Sequence, residues 1–209
     1  MDKGKSLDKP VVFLSASMPK VGRDPKFLKT ADFTAIRDAV VGLINAIIPD
    51  FKMVWGGHPA ITPIIANIFE KRGYKDEKLV TLYQSKFFTS VFPEEDKAFS
   101  NLVLTKIEQD PNGKDDMNLS LRLMRRKMIG ENNIVAAIFI GGMEGILDEA
   151  NIVKDLKPQA KLFPVASTGG ASLEFYNDII KDHDEFLDRE LHYDMAYTSM
   201  FKTLLYSLK

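Results

Sequence analysis

Glu144 and Glu149 share one short stretch with three glycines, Gly141, Gly142 and Gly145, in the order GGMEGILDE. Glycines let backbone N–H groups approach an anion where a helix begins, and the helix dipole favours negative charge there. A carboxylate beside such a turn can bind ribose hydroxyls or act as an acid or base. Both features also have plainer accounts. Glycines allow tight strand-to-helix packing, and an acid in a first helical turn complements the dipole. His58 directly follows Gly56-Gly57, where it could donate to a phosphate, bind a base or simply shape the turn. His183 and His192 have no metal-ligand spacing and read as surface residues. Ser15 and Ser17 lack the partners of a Ser–His–Asp triad and the G-x-S-x-G elbow, so phosphate or ribose contact suits them better than nucleophilic attack. Ser167 and Thr168 add two more hydroxyls before Gly169-Gly170. Arg122, Arg125, Arg126 and Lys127 gather positive charge that either faces solvent or leans over a phosphate.

These residues need elements to hold them. Ile134 to Ile140 is an apolar run interrupted only by alanines, which reads as a strand buried on both faces. Ile146, Leu147, Ala150 and Val153 follow with helical spacing. Further strands are expected at Val11–Leu14, Phe51–Trp55, Leu79–Tyr83, Leu102–Ile107 and Lys161–Val165. Between them, helical periodicity runs through Ile36 to Ile47, Ile61 to Phe69, Asn118 to Ile129, Phe175 to Ile179 and about Met195 to Leu208. The apolar face of that last helix fits either the core or a second subunit. Met18 to Lys29 reads as a loop, Pro93 as a helix start, and Gln109 to Asp116 as a turn built on Asp-Pro-Asn-Gly. The alternation predicts an α/β, Rossmann-like three-layer sandwich with a mainly parallel sheet. Residues 1–10 are expected to form a flexible tail, and 11–209 a single domain. Four strand ends carry small or glycine-rich turns: Ser15–Ser17, Gly56–Pro59, Gly141–Gly145 and Ser167–Gly170. In such sheets ligands bind outside the carboxyl ends of the strands.

Composition narrows the chemistry. The chain has 28 basic and 29 acidic residues, which disfavours a generally basic nucleic-acid binder. With no cysteine among its 209 residues, disulfides, zinc ribbons and thiol nucleophiles are excluded. GGMEG is neither GxGxxG nor a Walker loop, so no standard dinucleotide or P-loop fingerprint is present. No motif asks for a metal or a cofactor. The polar N-terminus and the absence of a long apolar run point to a cytoplasmic protein without a membrane partner.

From Val11 to about Ile180 the chain resembles the SLOG superfamily of Rossmann-like domains. That group includes lysine decarboxylase-like phosphoribohydrolases, DNA-processing proteins of the DprA type, and sensors in bacterial nucleotide signalling and defence. The resemblance rests on Leu14-Ser15-Ala16-Ser17, Val54-Trp55-Gly56-Gly57, Met124-Arg125-Arg126-Lys127 and GGMEGILDE, which is similar to the hydrolases' PGGxGTxxE. It implies Arg126 and Glu149 as catalytic residues if the chain is an enzyme, and Gly141, Gly142 and Gly145 as a phosphate cradle. This chain departs from that motif. It has no proline before Gly141, Glu144 is an extra residue, and Ile146 replaces threonine. The variant, together with GGHPAITP, is closer to the sensor branch. The resemblance therefore implies binding of a nucleotide or ADP-ribose-like ligand, with Ser15, Ser17, Gly56, Gly57, His58, Gly141, Gly142, Glu144, Gly145, Ser167 and Thr168 as contacts. The alternative is an N-glycosidic hydrolase of nucleoside monophosphates. A third reading, a single-strand DNA partner, conflicts with the balanced charge and the lack of a stacking platform. A lone sensor would signal through a homo-oligomer or a separate effector protein.

Overall fold

The computed structural model describes residues 9–23, 25–74, 78–179 and 185–208. Most of the expected tail, and His183, lie outside them.

Strands β1 (Val11–Ser17), β2 (Lys52–Trp55), β3 (Val80–Ser85) and β4 (Asn101–Thr105) lead into a two-residue-per-strand antiparallel hairpin, β5 (Glu108–Gln109) and β6 (Asp115–Asp116). Strands β7 (Ile134–Gly141) and β8 (Lys161–Val165) follow. The main sheet has six strands in the order β4-β3-β2-β1-β7-β8, and every neighbouring pair is parallel. The chain builds outward from β1 to β4, then returns to the other side of β1. That reversal places a switch point between β1 and β7, where Ser15 pairs with Phe139 and Ser17 with Gly141.

Eight helices connect or flank the strands among the described residues: α1 (Pro25–Thr30), α2 (Phe33–Ile47), α3 (Thr62–Arg72), α4 (Met117–Gly130), α5 (Glu144–Leu156), α6 (Gly170–Ile179), α7 (Glu185–Asp188) and α8 (Tyr197–Leu205). The central strand alternates between two core layers. Val12 and Leu14 pack with residues of α2, α3 and α8, while Val11 and Phe13 pack with residues of α4 and α5 and with Phe175 of α6. Phe13 and Phe139 are fully buried and meet edge to face at 6.3 Å. Each such side chain contributes about 1.5–3 kcal/mol by leaving water. Among the described residues no helix is long and apolar enough to cross a membrane.

Four local expectations change. Met18–Lys29 is not all loop, because Pro25 starts a short helix that buries Phe27. The segment after Pro93 forms a five-residue 3-10 turn (Glu94–Ala98) rather than an α-helix, and Lys86–Val91 is a second such turn. The Asp-Pro-Asn-Gly turn is closed by β5 and β6, with Asp110 Oδ1 accepting from Asn112 N and Lys114 N. The last helix spends its apolar face internally. Met200, Phe201, Leu204 and Leu205 are buried in the same layer as α2.

Helices α2 and α8 approach closely at Gly42, where an added Cβ would lie 2.5 Å from Tyr197 Cβ and 3.0 Å from the backbone beyond it. Gly42→Ala gains about 1 kcal/mol of helix propensity, and overpacking costs about 1–3 kcal/mol. Because the 2.5 Å approach is to a Cβ rather than to a flexible side-chain end, the cost lies at the upper end of that range, and the urea midpoint is expected to fall by the equivalent of about 1–2 kcal/mol. An unchanged or higher midpoint would mean that α8 is not fixed against α2.

Candidate functional site

The odd-numbered side chains of β1 face α4 and α5, and Ser15 continues that row after Val11 and Phe13. Its hydroxyl donates to Glu149 Oε2 at 2.5 Å. Glu149 comes from the second turn of α5. Its other oxygen, Oε1, accepts from Arg125 Nε at 3.3 Å. Arg125 reaches across from α4 and also donates from Nη1 to Asp148 at 2.9 Å. The pair is largely withdrawn from water, with side-chain exposures of 17% for Arg125 and 14% for Glu149. Burial pushes the Glu149 carboxyl above its ordinary value, while Arg125 and the Ser15 hydroxyl pull it back in part. Gly145 leaves room for the guanidinium, since a Cβ there would sit 2.7 Å from Arg125 Nη2. Gly56 packs the end of β2 against α4, an added Cβ lying 3.4 Å from Met124 Cε and 3.7 Å from Met128 Cε.

Arg125, rather than Arg126, therefore meets Glu149. Arg126 points outward to Asp155 at 3.3 Å and is 45% exposed. A signal for this lay in the helical spacing. Arg125 follows Leu121 by four and precedes Met128 by three, which puts it on the apolar face. Of the two glutamates, Glu149 faces inward and Glu144 is exposed in the first turn of α5.

The glycine turn is built differently from the predicted cradle. Gly141 N–H donates to Thr168 Oγ1 at 2.9 Å, and Gly142 N–H to Ser17 O at 2.8 Å. Both residues have positive φ, 61° and 80°, and a Cβ on Gly142 would overlap Ile146. Their N–H groups are spent inside the fold, so the pair closes a turn against its neighbours. Thr168 is buried; it accepts from Gly141 and donates to Val165 O at 2.6 Å, which leaves it no hydroxyl for a ligand. Ser167 Oγ lies 3.1 Å from the Tyr197 hydroxyl, on the α8 side. Ser17 is half-buried beside Gly142.

At the end of β2, Gly57 has φ 71°, and an added Cβ would strike Gln84 Nε2 at 2.5 Å. His58 follows, half-buried, with Nδ1 accepting from Ala60 N at 3.2 Å. Burial, helped by nearby Lys20, pushes the imidazole down to about 4. His192 is stacked on Tyr193 at 4.6 Å and meets Tyr176 edge to face at 5.3 Å. Among the described residues no group of three or more His, Cys, Asp or Glu side chains could hold a metal ion.

A parallel sheet covered on both faces, with a buried polar cluster at its switch point, defines a nucleotide-related Rossmann-like domain. Residues 26–205 match the SLOG cluster3 family, and the chain belongs to that family. It is also similar to the X-ray structure of a structural genomics target, TM1055, with 17% identity, 80% of this chain and 81% of that chain covered, and a TM-score of 0.46. No curated protein matches the chain.

Two variants separate the arginines. Arg125→Ala strands a buried carboxylate and should cost about 3 kcal/mol, whereas Arg126→Ala removes an exposed pair and should cost less than about 1 kcal/mol. Equal losses in chemical denaturation would contradict the geometry.

Glu149 also sets a pH dependence. Its folded-state pKa is raised, so the folded chain holds that proton more tightly than the unfolded chain does. The associated stability is complete below the ordinary value of about 4.5 and is lost as pH rises through the raised folded value. Glu149→Gln lacks this titration. Relative to wild type, its unfolding free energy should climb across that window, and a constant difference would mean that the carboxyl is not shifted upward.

Proposed function

We propose that this domain binds a nucleotide or an ADP-ribose-like ligand at the carboxyl ends of β1 and β7, as a sensor of the kind used in bacterial nucleotide signalling and defence. The observation that supports this is the Ser15–Glu149–Arg125 cluster. Each carboxylate oxygen accepts one described bond from this cluster and has a further lone pair, so the pair of oxygens can receive two neighbouring hydroxyls of a ribose. The sensing reading is favoured over catalysis because the motif departs from that of the hydrolases, with Glu144 as an extra residue and Ile146 in place of threonine.

One observation keeps hydrolysis as a second reading. Burial raises the Glu149 carboxyl above its ordinary value, a shift in the direction that acid–base catalysis uses. In that reaction, water bonds to the anomeric carbon as the N-glycosidic bond breaks. Glu149 takes the water's proton, and the departing base carries off the bonding pair. A sensor instead passes its signal to a second copy of the chain or to an effector protein.

Thermal unfolding against nucleoside monophosphates, NAD, ADP-ribose and cyclic ADP-ribose isomers tests both readings when each sample is then analysed by mass spectrometry. A ligand at a hundred times its Kd should add about 2.7 kcal/mol. Stabilisation with intact ligand, lost in Arg125→Ala and retained in Arg126→Ala, is the expected result. Free base and ribose phosphate in the sample would make the protein a hydrolase. No stabilisation and no turnover across the panel would remove both readings.

A further inference from the structure

We propose that the outer edge of β4 pairs with the same strand of a second copy of this chain, antiparallel and centred on Val103. The inference is independent of the nucleotide reading, because β4 stands three places from β1 in the sheet.

A sheet edge carries a row of unpaired N–H and C=O groups, which invite another strand unless something guards them. The main sheet has two edges, β8 and β4. Lys161 and Pro164 guard β8, since a charge resists burial and proline has no N–H to donate. β4 reads Asn-Leu-Val-Leu-Thr, with no charge and no proline. Among the described residues it pairs with β3 alone.

The strand is in place before any partner arrives. Asn101 Nδ2 donates to Thr81 Oγ1 at 2.7 Å, and Thr105 Oγ1 donates to Gln84 O at 3.4 Å, so both ends are tied to β3. An edge ordered in advance loses little conformational entropy on pairing. Val103 packs toward the layer of Met124 and Met128. Leu102 and Leu104 point to the opposite face, where they are 40% and 43% exposed. Ile107, Met117 and Leu119, in the segments that follow, are exposed as well.

The sequence of β4 fits its own copy. Antiparallel pairing about Val103 sets Leu102 opposite Leu104 of the second copy, Asn101 opposite Thr105, and Val103 opposite itself. No charged side chain faces a like charge across Asn101–Thr105. The leucines of both copies fall on one face of the joined sheet and cover one another. With 28 basic and 29 acidic residues, the chain has almost no net charge to oppose self-association. Helix α4 packs against β4 and carries Arg125 farther along, so the pairing edge and the ion-pair site share one helix.

Sedimentation velocity on the full chain at about 1 to 500 μM reads the association. Wild type should dimerise as concentration rises. Hydrogen exchange of the β4 amides should slow in step, while the β8 amides stay unchanged. Leu102→Lys/Leu104→Lys sets like charges across the pair and should weaken the dimer about tenfold or more. Leu102→Lys/Leu104→Glu sets opposite charges across the same pair and should retain most of the association. Far-UV circular dichroism checks that both variants fold, and the wild-type exchange measurement stands without them. A monomer across the whole range would assign the edge to a strand from another protein and overturn the proposal. So would a dimer that both double variants weaken equally, or one that leaves β4 exchange unchanged.

Discussion

A carboxylate taken out of water has to be paired, and Glu149 is paired by residues from two other elements. Ser15 comes from the central strand, Arg125 from the helix on one side, and Glu149 from the next helix. Removing either partner leaves charge in a low-dielectric site, which costs more than the pair contributes when intact. The cluster therefore specifies how α4 and α5 meet over β1, beyond what apolar packing requires. Met124 and Met128 fill the space beside Gly56, and the polar bridge sets which face of α4 turns inward.

The glycines solve a different problem. Gly142 O accepts from Ala171 N at 3.0 Å, and a Cβ on Gly170 would lie 2.8 Å from that same carbonyl oxygen. On its other side, a Cβ on Gly169 would collide with Thr30 O at 1.8 Å. The turns after β7 and β8 are thus pressed against each other and against the end of α1. Backbone packed this closely satisfies its own hydrogen bonds and has few left for a ligand. Ser15, Arg125 and Glu149 bring polar side chains to this sheet edge beside those closed glycine turns.

The sheet was legible because buried parallel strands read as apolar runs, and Ile134–Ile140 has strand length and is rich in Ile, Val and Phe. The register of β1 against β7 was not, since pattern alone does not say which strands are neighbours. Short elements escaped for a local reason. The six residues of α1 lie in a stretch broken by prolines, and the two 3-10 turns after β3 have no helical apolar face to betray them. Glu149 was legible through a motif. Arg125 was hidden beside Arg126, because a motif records residue type while the helix face decides which of two adjacent arginines turns inward. Thr168 looked like a ligand hydroxyl and is a structural one, and only the fold shows that its neighbours are Gly141 N–H and Val165 O.

The same cluster also bears on what kind of protein this is. The Arg125–Glu149 ion pair stabilises one arrangement of α4 against α5, and a ligand hydroxyl that donates to Glu149 in the proposed role shares that carboxylate with Arg125 and Ser15. Binding energy spent in this way is coupled to helix position. A catalytic carboxylate gains nothing from such coupling, since it must stand ready before substrate arrives. A sensor needs it, because a ligand changes a conformational equilibrium only by interacting differently with the two states. In the proposed sensing role, the buried Arg125–Glu149 bridge is the contact that a ligand's hydroxyls would share, placed where α4 and α5 both meet the central strand.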